Sequence, residues 1–141
     1  MPMDALEIAR ESARIMWNED NATRHVGMEL VSVEPGKARL SLKVRDEFTN
    51  GHGMCHGGYI FMLADSAFAF ACNNRNILSV ALDTAINFIK PVHVGDVLTA
   101  EAREIHNGKS TGLYHIHISN QNNHEVAIFK GTCFRTHKSL L

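Results

Sequence analysis

The sequence predicts an α+β domain in which a curled antiparallel sheet wraps around one buried helix. Three observations point there. Tyr59 to Cys72 is apolar almost all round (Ile60, Phe61, Met62, Leu63, Ala64, Ala67, Phe68, Ala69, Phe70, Ala71), so a helix here has no face for water. The chain order reads helix, two strands, helix, four strands, and tight turn signals join the last three strands into an antiparallel meander. With these elements, the way to bury the central helix on all sides is to wrap the sheet around it and cover what remains.

In order, Asp4 is a fitting N-cap for a first helical segment at about 3–20, with Glu7 three residues on as its capping-box partner. Leu6, Ala9, Ala13, Met16 and Trp17 recur at helical spacing. A short second segment, Asn21 to Val26, ends at Gly27. Strands are expected at Glu29 to Val33 and Ala38 to Val44, joined by the turn dipeptide Pro35-Gly36. In the second of these, Leu40, Leu42 and Val44 alternate with Ser41 and Lys43, the period of a half-buried strand. Residues 45–58 are polar and glycine-rich. Ser79 to Ile89 then runs up to Pro91, and Val97 to Ile105 ends at the hairpin signal Asn107-Gly108. Thr111 to Asn120 ends at Gln121-Asn122-Asn123, and Glu125 to Thr136 follows. Tyr114, Ile116 and Ile118 share one strand face; His115, His117 and Ser119 share the other.

Composition narrows the function. The 141 residues suit a single domain, 1–141, large enough for a real core. Hydrophobic residues make up 45% and charged residues 21%, an ordinary globular balance. The net charge is -1 and no long basic run exists, which argues against a nucleic-acid partner. The histidines, 9 in all, make the charge sensitive to pH near neutrality. Cys55, Cys72 and Cys133 are odd in number and lack a CxxC pair, which argues against a disulfide framework or a cysteine-rich zinc site. Free thiols suit a reducing compartment, so a cytoplasmic location is expected. The first residues mix Asp4, Glu7, Arg10, Glu11 and Arg14 with apolar side chains, unlike a signal peptide. The longest apolar stretch is interrupted by Asp65 and too short to span a bilayer, so no membrane partner is expected.

The chemistry-bearing stretch is Asn50-Gly-His-Gly-Met-Cys-His-Gly-Gly-Tyr-Ile-Phe-Met-Leu-Ala-Asp65. Gly57 and Gly58 lie where a loop turns into the buried helix, and glycine lets a ligand approach the backbone. The first N–H groups of a helix lack intrahelical partners and carry the positive end of its dipole. Such a site binds an anion, or the oxyanion formed when a carbonyl is attacked. Asp65 sits about two turns in, among apolar neighbours. A buried carboxylate must be paired, protonated or aimed at a polar cleft, and an ordinary structural ion pair is the plainer alternative. His52 and His56 are four apart, but they lie on a glycine-rich loop with no third ligand, so no metal is expected.

This run, Asn-Gly-x-x-x-x-His-Gly-Gly-x-x-x-x-Leu-Ala-Asp with an alanine-rich helix after it, resembles the phenylacetic acid degradation (PaaI-type) hotdog thioesterases of the thioesterase superfamily. Asn87-Phe-Ile-Lys-Pro91, Gly95-Asp96, Lys109-Ser-Thr-Gly-Leu-Tyr114 and Ala127-Ile-Phe-Lys-Gly131 carry the resemblance over nearly the whole chain. It implies a hotdog fold, homodimers with shared active sites assembling to homotetramers, and hydrolysis of an acyl-CoA to free acid and CoA. No cofactor is implied, coenzyme A being part of the substrate. By the resemblance, Asp65 is the catalytic nucleophile or general base, and the Gly57 N–H is the donor to the thioester carbonyl. Asn50 is a side-chain partner of that donor or of the water, and His56 a helper near the carbonyl or leaving thiolate. Asp65 is expected to face Asn50 and Gly57 of the other subunit. Relatives that hold the water with a Ser or Thr place it at the position of Ala81 here. Thr84 is three residues away, which on a regular strand points it to the opposite face.

Substrate contacts are expected at Gly58, Phe61, Ser66, Lys90 and Lys109, with Ser66 as a polar neighbour of Asp65. Lys90, Arg103, Lys109 and Lys130 are candidates for CoA phosphates, and Phe61, Met62, Phe68 and Phe70 for an acyl pocket, although a buried helix needs such residues anyway. The resemblance favours aryl acyl groups such as phenylacetyl. Two other functions use the same residues: a hydratase or dehydratase on acyl thioesters, with His56 and Asp65 as its acid–base pair, and a non-catalytic acyl-CoA-binding sensor. His115 and His117 are expected at a subunit contact.

Overall fold

The computed structural model describes residues 2–141. Helix α1 (Ala5–Glu19) starts where the Asp4 carboxylate accepts the Glu7 N–H at 2.9 Å. The return contact from the Glu7 side chain, which would complete a capping box, is absent among the described residues. Asp20 caps α2 (Asn21–His25) in the same way through Thr23. Gly27 and Gly36 take the left-handed conformations (φ +87 and +73) that end α2 and turn the first hairpin. Strands β1 (Glu29–Glu34) and β2 (Lys37–Lys43) form that hairpin. After a 3-10 turn at Asp46–Phe48 comes α3 (Gly57–Asn73), followed by β3 (Ser79–Phe88), β4 (Val97–Asn107), β5 (Thr111–Ser119) and β6 (Glu125–Arg135).

The 6-stranded sheet has the order β1-β2-β4-β5-β6-β3 and every pair is antiparallel. The expected meander of the last three strands is present. Strand β3 reaches across to pair with β6, so β1 and β3 are the two edges. Helix α3 lies in the concave face, with Leu63, Ala64, Ala67, Phe70 and Ala71 all 0% exposed. It packs against Leu40, Leu42, Leu98, Tyr114, Ile116, Ile118 and Phe129. Each fully buried side chain of this size contributes about 1.5–3 kcal/mol. The alternation of β2 and β5 is as the sequence predicts: Leu40, Leu42, Ile116 and Ile118 point inward while Lys43 and His117 are exposed. This is the hotdog arrangement. No helix among the described residues is long and apolar enough to cross a membrane.

Two polar devices lock the C-terminal end of α3. The Asn74 amide, fully buried, accepts the Gly36 N–H and donates to the Glu34 and Lys37 carbonyls, tying the helix to the first hairpin. The buried Arg135 guanidinium donates to the Cys72 carbonyl, Ser79 Oγ, Asn107 Oδ1 and Tyr114 Oη.

The sheet does not close around α3. Gly57, Phe61 and Phe68 face β3 and β6: Phe88 lies against Gly57, the Phe61 ring is 5.2 Å from that of Phe129, and Phe68 lies against Gly131. On the far side, Ser66 Oγ meets Thr23 Oγ1 of α2 at 3.0 Å. Between these lies a stripe at helical spacing, Gly58, Met62, Asp65 and Ala69, and all four are half-buried or exposed. It opens past the free edge of β3. That edge is apolar: Val80, Leu82, Phe88 and Ile89 are 52%, 61%, 54% and 50% exposed.

Candidate active site

Helix α3 begins two residues earlier than its apolar run, so both Gly57 and Gly58 are helical. His56 is the N-cap. Its Nδ1 accepts the Gly58 N–H at 2.8 Å, which puts the proton of the neutral ring on Nε2. The Gly57 N–H has no partner among the described residues and is a free donor at the positive end of the helix. A Cβ on Gly57 would come to 3.0 Å from the Phe88 ring, a tight contact that glycine avoids. Phe88 thus screens one side of the free N–H, a contact that strand periodicity gives no means of foreseeing.

Asn50 organises the loop before the helix. Its Oδ1 accepts the His52 and Met54 N–H groups at 2.9 and 3.2 Å, and its own N–H donates to the Met54 carbonyl. The carbonyl end of the side chain is therefore spent on the loop, and only the NH2 end is left for a ligand. His52 is exposed and joins the loop through its backbone.

Asp65 is half-buried, and its carboxylate has neither an ion pair nor a hydrogen bond among the described residues. The structural ion pair considered as its plainer alternative is not formed. Desolvation raises its pKa above the ordinary carboxylate value of 3.8. At 1.5 Å per residue, Asp65 lies about 12 Å along the helix from the Gly57 N–H. One carbonyl cannot touch both groups of the same chain.

The other expected contacts divide. Gly58 lies on the open stripe. Phe61 is half-buried on the neighbouring face, against Phe129. Lys90 lines a cavity of about 320 Å³ beside the helix N-terminus, together with Met54, Gly57, Ile60 and Phe88. Lys109 lines another cavity, of about 500 Å³, at the opposite end of α3 with Arg135 and Lys138. Phe68 and Phe70 are core residues, 1% and 0% exposed. Two expectations are corrected. Ser66 is not a neighbour of Asp65 in the cleft: a helix turns 100° per residue, and its hydroxyl is held by Thr23 on the α2 side. Thr84 does not point away from the face of Ala81. A register shift between Ala81 and Asp83 adds a residue to β3, so Ala81 opposes Cys133 and Thr84 opposes Gly131, both buried on the concave side.

Comparison with known proteins agrees with this fold and motif. Residues 52–127 match the family model described as "Thioesterase superfamily". The chain is 41% identical to the acyl-coenzyme A thioesterase PaaI of Escherichia coli, over 90% of this chain and 91% of that protein. The structure of the E. coli PaaI protein from the phenylacetic acid degradation operon superposes with a TM-score of 0.94 at 38% identity, covering 96% and 99% of the two chains. The smu.793 protein of Streptococcus mutans, solved bound to acetyl CoA, gives a TM-score of 0.77 at 33% identity over 80% and 91%. A buried helix led by His56-Gly57-Gly58, a lone carboxylate on its open stripe and this shared sequence lead to one conclusion: the chain is a hotdog-fold thioester hydrolase and belongs to the thioesterase superfamily.

Proposed function

We propose that the protein hydrolyses acyl-CoA thioesters to free acid and CoA, at sites shared between two copies of the chain. The observation that carries this is the pair of unpartnered groups on α3, the Asp65 carboxylate and the Gly57 N–H, held about 12 Å apart. A two-fold pairing of β3 edges runs the two central helices antiparallel. It sets Asp65 of one copy against Gly57 of the other, and it covers the open stripe and the apolar edge. Coenzyme A as the carrier is supported by the acetyl CoA bound to the S. mutans relative. An aryl acyl group of the phenylacetyl class is supported by the operon of the E. coli relative. Assembly of such dimers into tetramers and a cytoplasmic location complete the proposal.

The chemistry follows from the groups present. The Gly57 N–H donates to the thioester carbonyl and holds the oxyanion as the carbon becomes tetrahedral. Asp65 either attacks that carbon, forming an anhydride that water then opens, or takes a proton from the water that attacks. Collapse expels the CoA thiolate, which takes up the proton that the water gives up, in its own attack or in opening the anhydride. His56, with Nδ1 engaged and Nε2–H outward, is a donor to the carbonyl or the leaving sulfur. The NH2 group of Asn50 is the remaining donor for the carbonyl or water. No cofactor is required, because a thioester is electrophilic and its thiolate leaves readily.

The test is thiol release from a panel of acyl-CoAs, straight-chain and aryl, by wild type and Asp65→Asn. Turnover by wild type and a loss of roughly 10²-fold or more in the variant are expected when the group activating the nucleophile is removed. Binding without thiol release would instead favour the acyl-CoA sensor. Reversible loss of water from a 3-hydroxyacyl-CoA would favour the hydratase.

A further inference from the structure

We propose that Asn50 is a self-modifying site: its side chain cyclises onto the Gly51 nitrogen, loses ammonia and hydrolyses to aspartate or isoaspartate. The loss of activity that follows rests on the role of Asn50 proposed above; the modification itself does not. The chain holds two Asn-Gly pairs, Asn50-Gly51 and Asn107-Gly108, and glycine carries no Cβ to crowd the attacking nitrogen. Their surroundings separate them. The Gly108 N–H donates to the Thr111 carbonyl at 2.8 Å, and Asn107 Oδ1 is held by the Arg135 guanidinium at 2.7 Å. A Cβ at Gly108 would stand 2.7 Å from the Thr111 carbonyl oxygen, so that turn is closely packed. None of this holds at Gly51. It is exposed, its N–H has no hydrogen-bond partner among the described residues, and a Cβ there would meet nothing within 4 Å.

The loop also polarises the group under attack. Asn50 Oδ1 accepts the His52 and Met54 N–H groups at 2.9 and 3.2 Å, which folds the carboxamide back over the Gly51 peptide. The same two donors face the oxygen on which negative charge grows as Cγ becomes tetrahedral. Oδ1 takes all the hydrogen bonds of this side chain among the described residues, so the NH2 leaving group is unbound. The Gly51 nitrogen gives its proton to water or hydroxide and forms a bond to Cγ. The Cγ–Nδ2 bond then breaks, and Nδ2 takes a proton from water and leaves as ammonia. Water opens the cyclic imide at either carbonyl. One opening gives aspartate; the other gives isoaspartate, in which the main chain runs through the side-chain carboxyl carbon. The net change is an amide exchanged for a carboxylate, with water as the co-reactant. Either product lacks the NH2 group proposed as a donor for the carbonyl or the water, and sets a carboxylate in its place.

The experiment incubates folded wild type and Gly51→Ala at neutral and at alkaline pH. At intervals it reads residues 50 and 107 by peptide mass mapping, isoaspartate by enzymatic methylation, and thiol release from acyl-CoA. Asn50 is expected to convert first, and faster at alkaline pH because the attacking nitrogen must lose its proton, while Asn107 stays intact over the same period. Gly51→Ala is expected to start at the wild-type rate, since its methyl group meets nothing. Its conversion should be about tenfold slower or more, because the methyl group crowds the attacking nitrogen. Thiol release by wild type should fall in step with conversion, and that of Gly51→Ala should hold. Asn50→Asp, which keeps the acceptor that organises the loop, is expected to lower kcat about tenfold or more, the effect of one transition-state hydrogen bond. Conversion of Asn107 as fast as Asn50, or of Asn50 only after unfolding in urea, overturns the proposal. Conversion with unchanged thiol release upholds the modification and refutes its effect on activity. Fresh wild type that releases no thiol refutes the thioesterase reading, and the masses still decide the modification.

Discussion

At Asp65 the proposed function and stability pull in opposite directions. Its carboxylate is partly removed from water with nothing to compensate, and burial raises its pKa. For an acid, a folded pKa above the unfolded value means that ionisation weakens the folded state. Stability is therefore lost as the pH rises from about 3.8 through the raised value. Asp65→Asn keeps the shape and removes the charge, so its thermal midpoint at neutral pH is expected to equal or exceed that of wild type, with the difference vanishing at acid pH. A scan of melting temperature against pH checks this, and a variant clearly less stable at pH 7 would contradict it. In the role proposed for Asp65, the same shift sets the acid limb of kcat/KM. Activity is expected to rise with pH through a pKa above the ordinary carboxylate range, as the ionised form is the one that attacks or accepts a proton. At Gly57, a methyl group would meet the Phe88 ring at 3.0 Å. Gly57→Ala is expected to displace the ring or the helix start and to lower kcat with little change in melting temperature. Shortening Phe88 to Leu in the same chain should recover part of the rate.

The secondary-structure elements meet at two tight contacts whose cost can be measured. Gly131 is buried in mid-strand because Phe68 of α3 occupies the place of its side chain, with ring atoms 2.9 Å from where a Cβ would stand. Gly131→Ala overpacks the core and is expected to destabilise by about 1–3 kcal/mol in denaturant unfolding; no loss would mean that the helix can shift away from the strand. At the other end of α3, Glu104 accepts from Arg75 at 2.9 Å and from Tyr114 at 2.8 Å, and it lies 3.8 Å from buried Arg135. Burial opposes its ionisation, but Arg75, Tyr114 and Arg135 outweigh that and hold the carboxyl below its ordinary value of 4.5. A depressed pKa gives stability that is present above about 4.5 and is lost as the pH falls through the lower folded value. Glu104→Gln is expected to cost about 3 kcal/mol at neutral pH, since it leaves Arg135 uncompensated. It should also flatten the acid limb of the stability curve.

For the whole molecule, the question is what covers β3. Exposed apolar side chains along an unpaired strand edge invite another strand. The proposed two-fold pairing buries them and completes the site in the same step. Leu82→Lys sets two like charges close together across such an edge. It is expected to shift the protein to a smaller species in light scattering and to abolish thiol release together. A smaller species with full activity would show that one chain suffices. On the convex face, the His117 ring meets the Glu125 carboxylate at 2.7 Å, while His115 stands opposite Arg103 and Lys130 in the sheet register. Whether this face is a second contact is tested by replacing both histidines with Ala and measuring particle size; an unchanged size excludes them from the assembly.

Much of this was determined by sequence alone, because it depends on periodicity and local chemistry. An apolar run with no polar face specifies a buried helix. Alternation in β2 and β5 specifies which side chains turn inward. The Pro35-Gly36 and Asn107-Gly108 dipeptides specify the turns, and His56-Gly57-Gly58 followed by Asp65 specifies the motif. What the tertiary structure decided depends on contacts between residues far apart in the chain. Ser66 faces α2 because Thr23 stands there, and Phe88 covers Gly57 because β3 lies along α3. Asn74 binds the first hairpin and Arg135 the end of α3, partners that the sequence places some 40 and 60 residues away. The bulge that turns Thr84 inward leaves the local alternation of β3 without a distinct mark, since a one-residue shift shows only against the pairing partner. The distance between Asp65 and Gly57 is fixed by the rise of a helix, but the proposed consequence, that one chain holds two halves of different sites, rests on the open edge beside it.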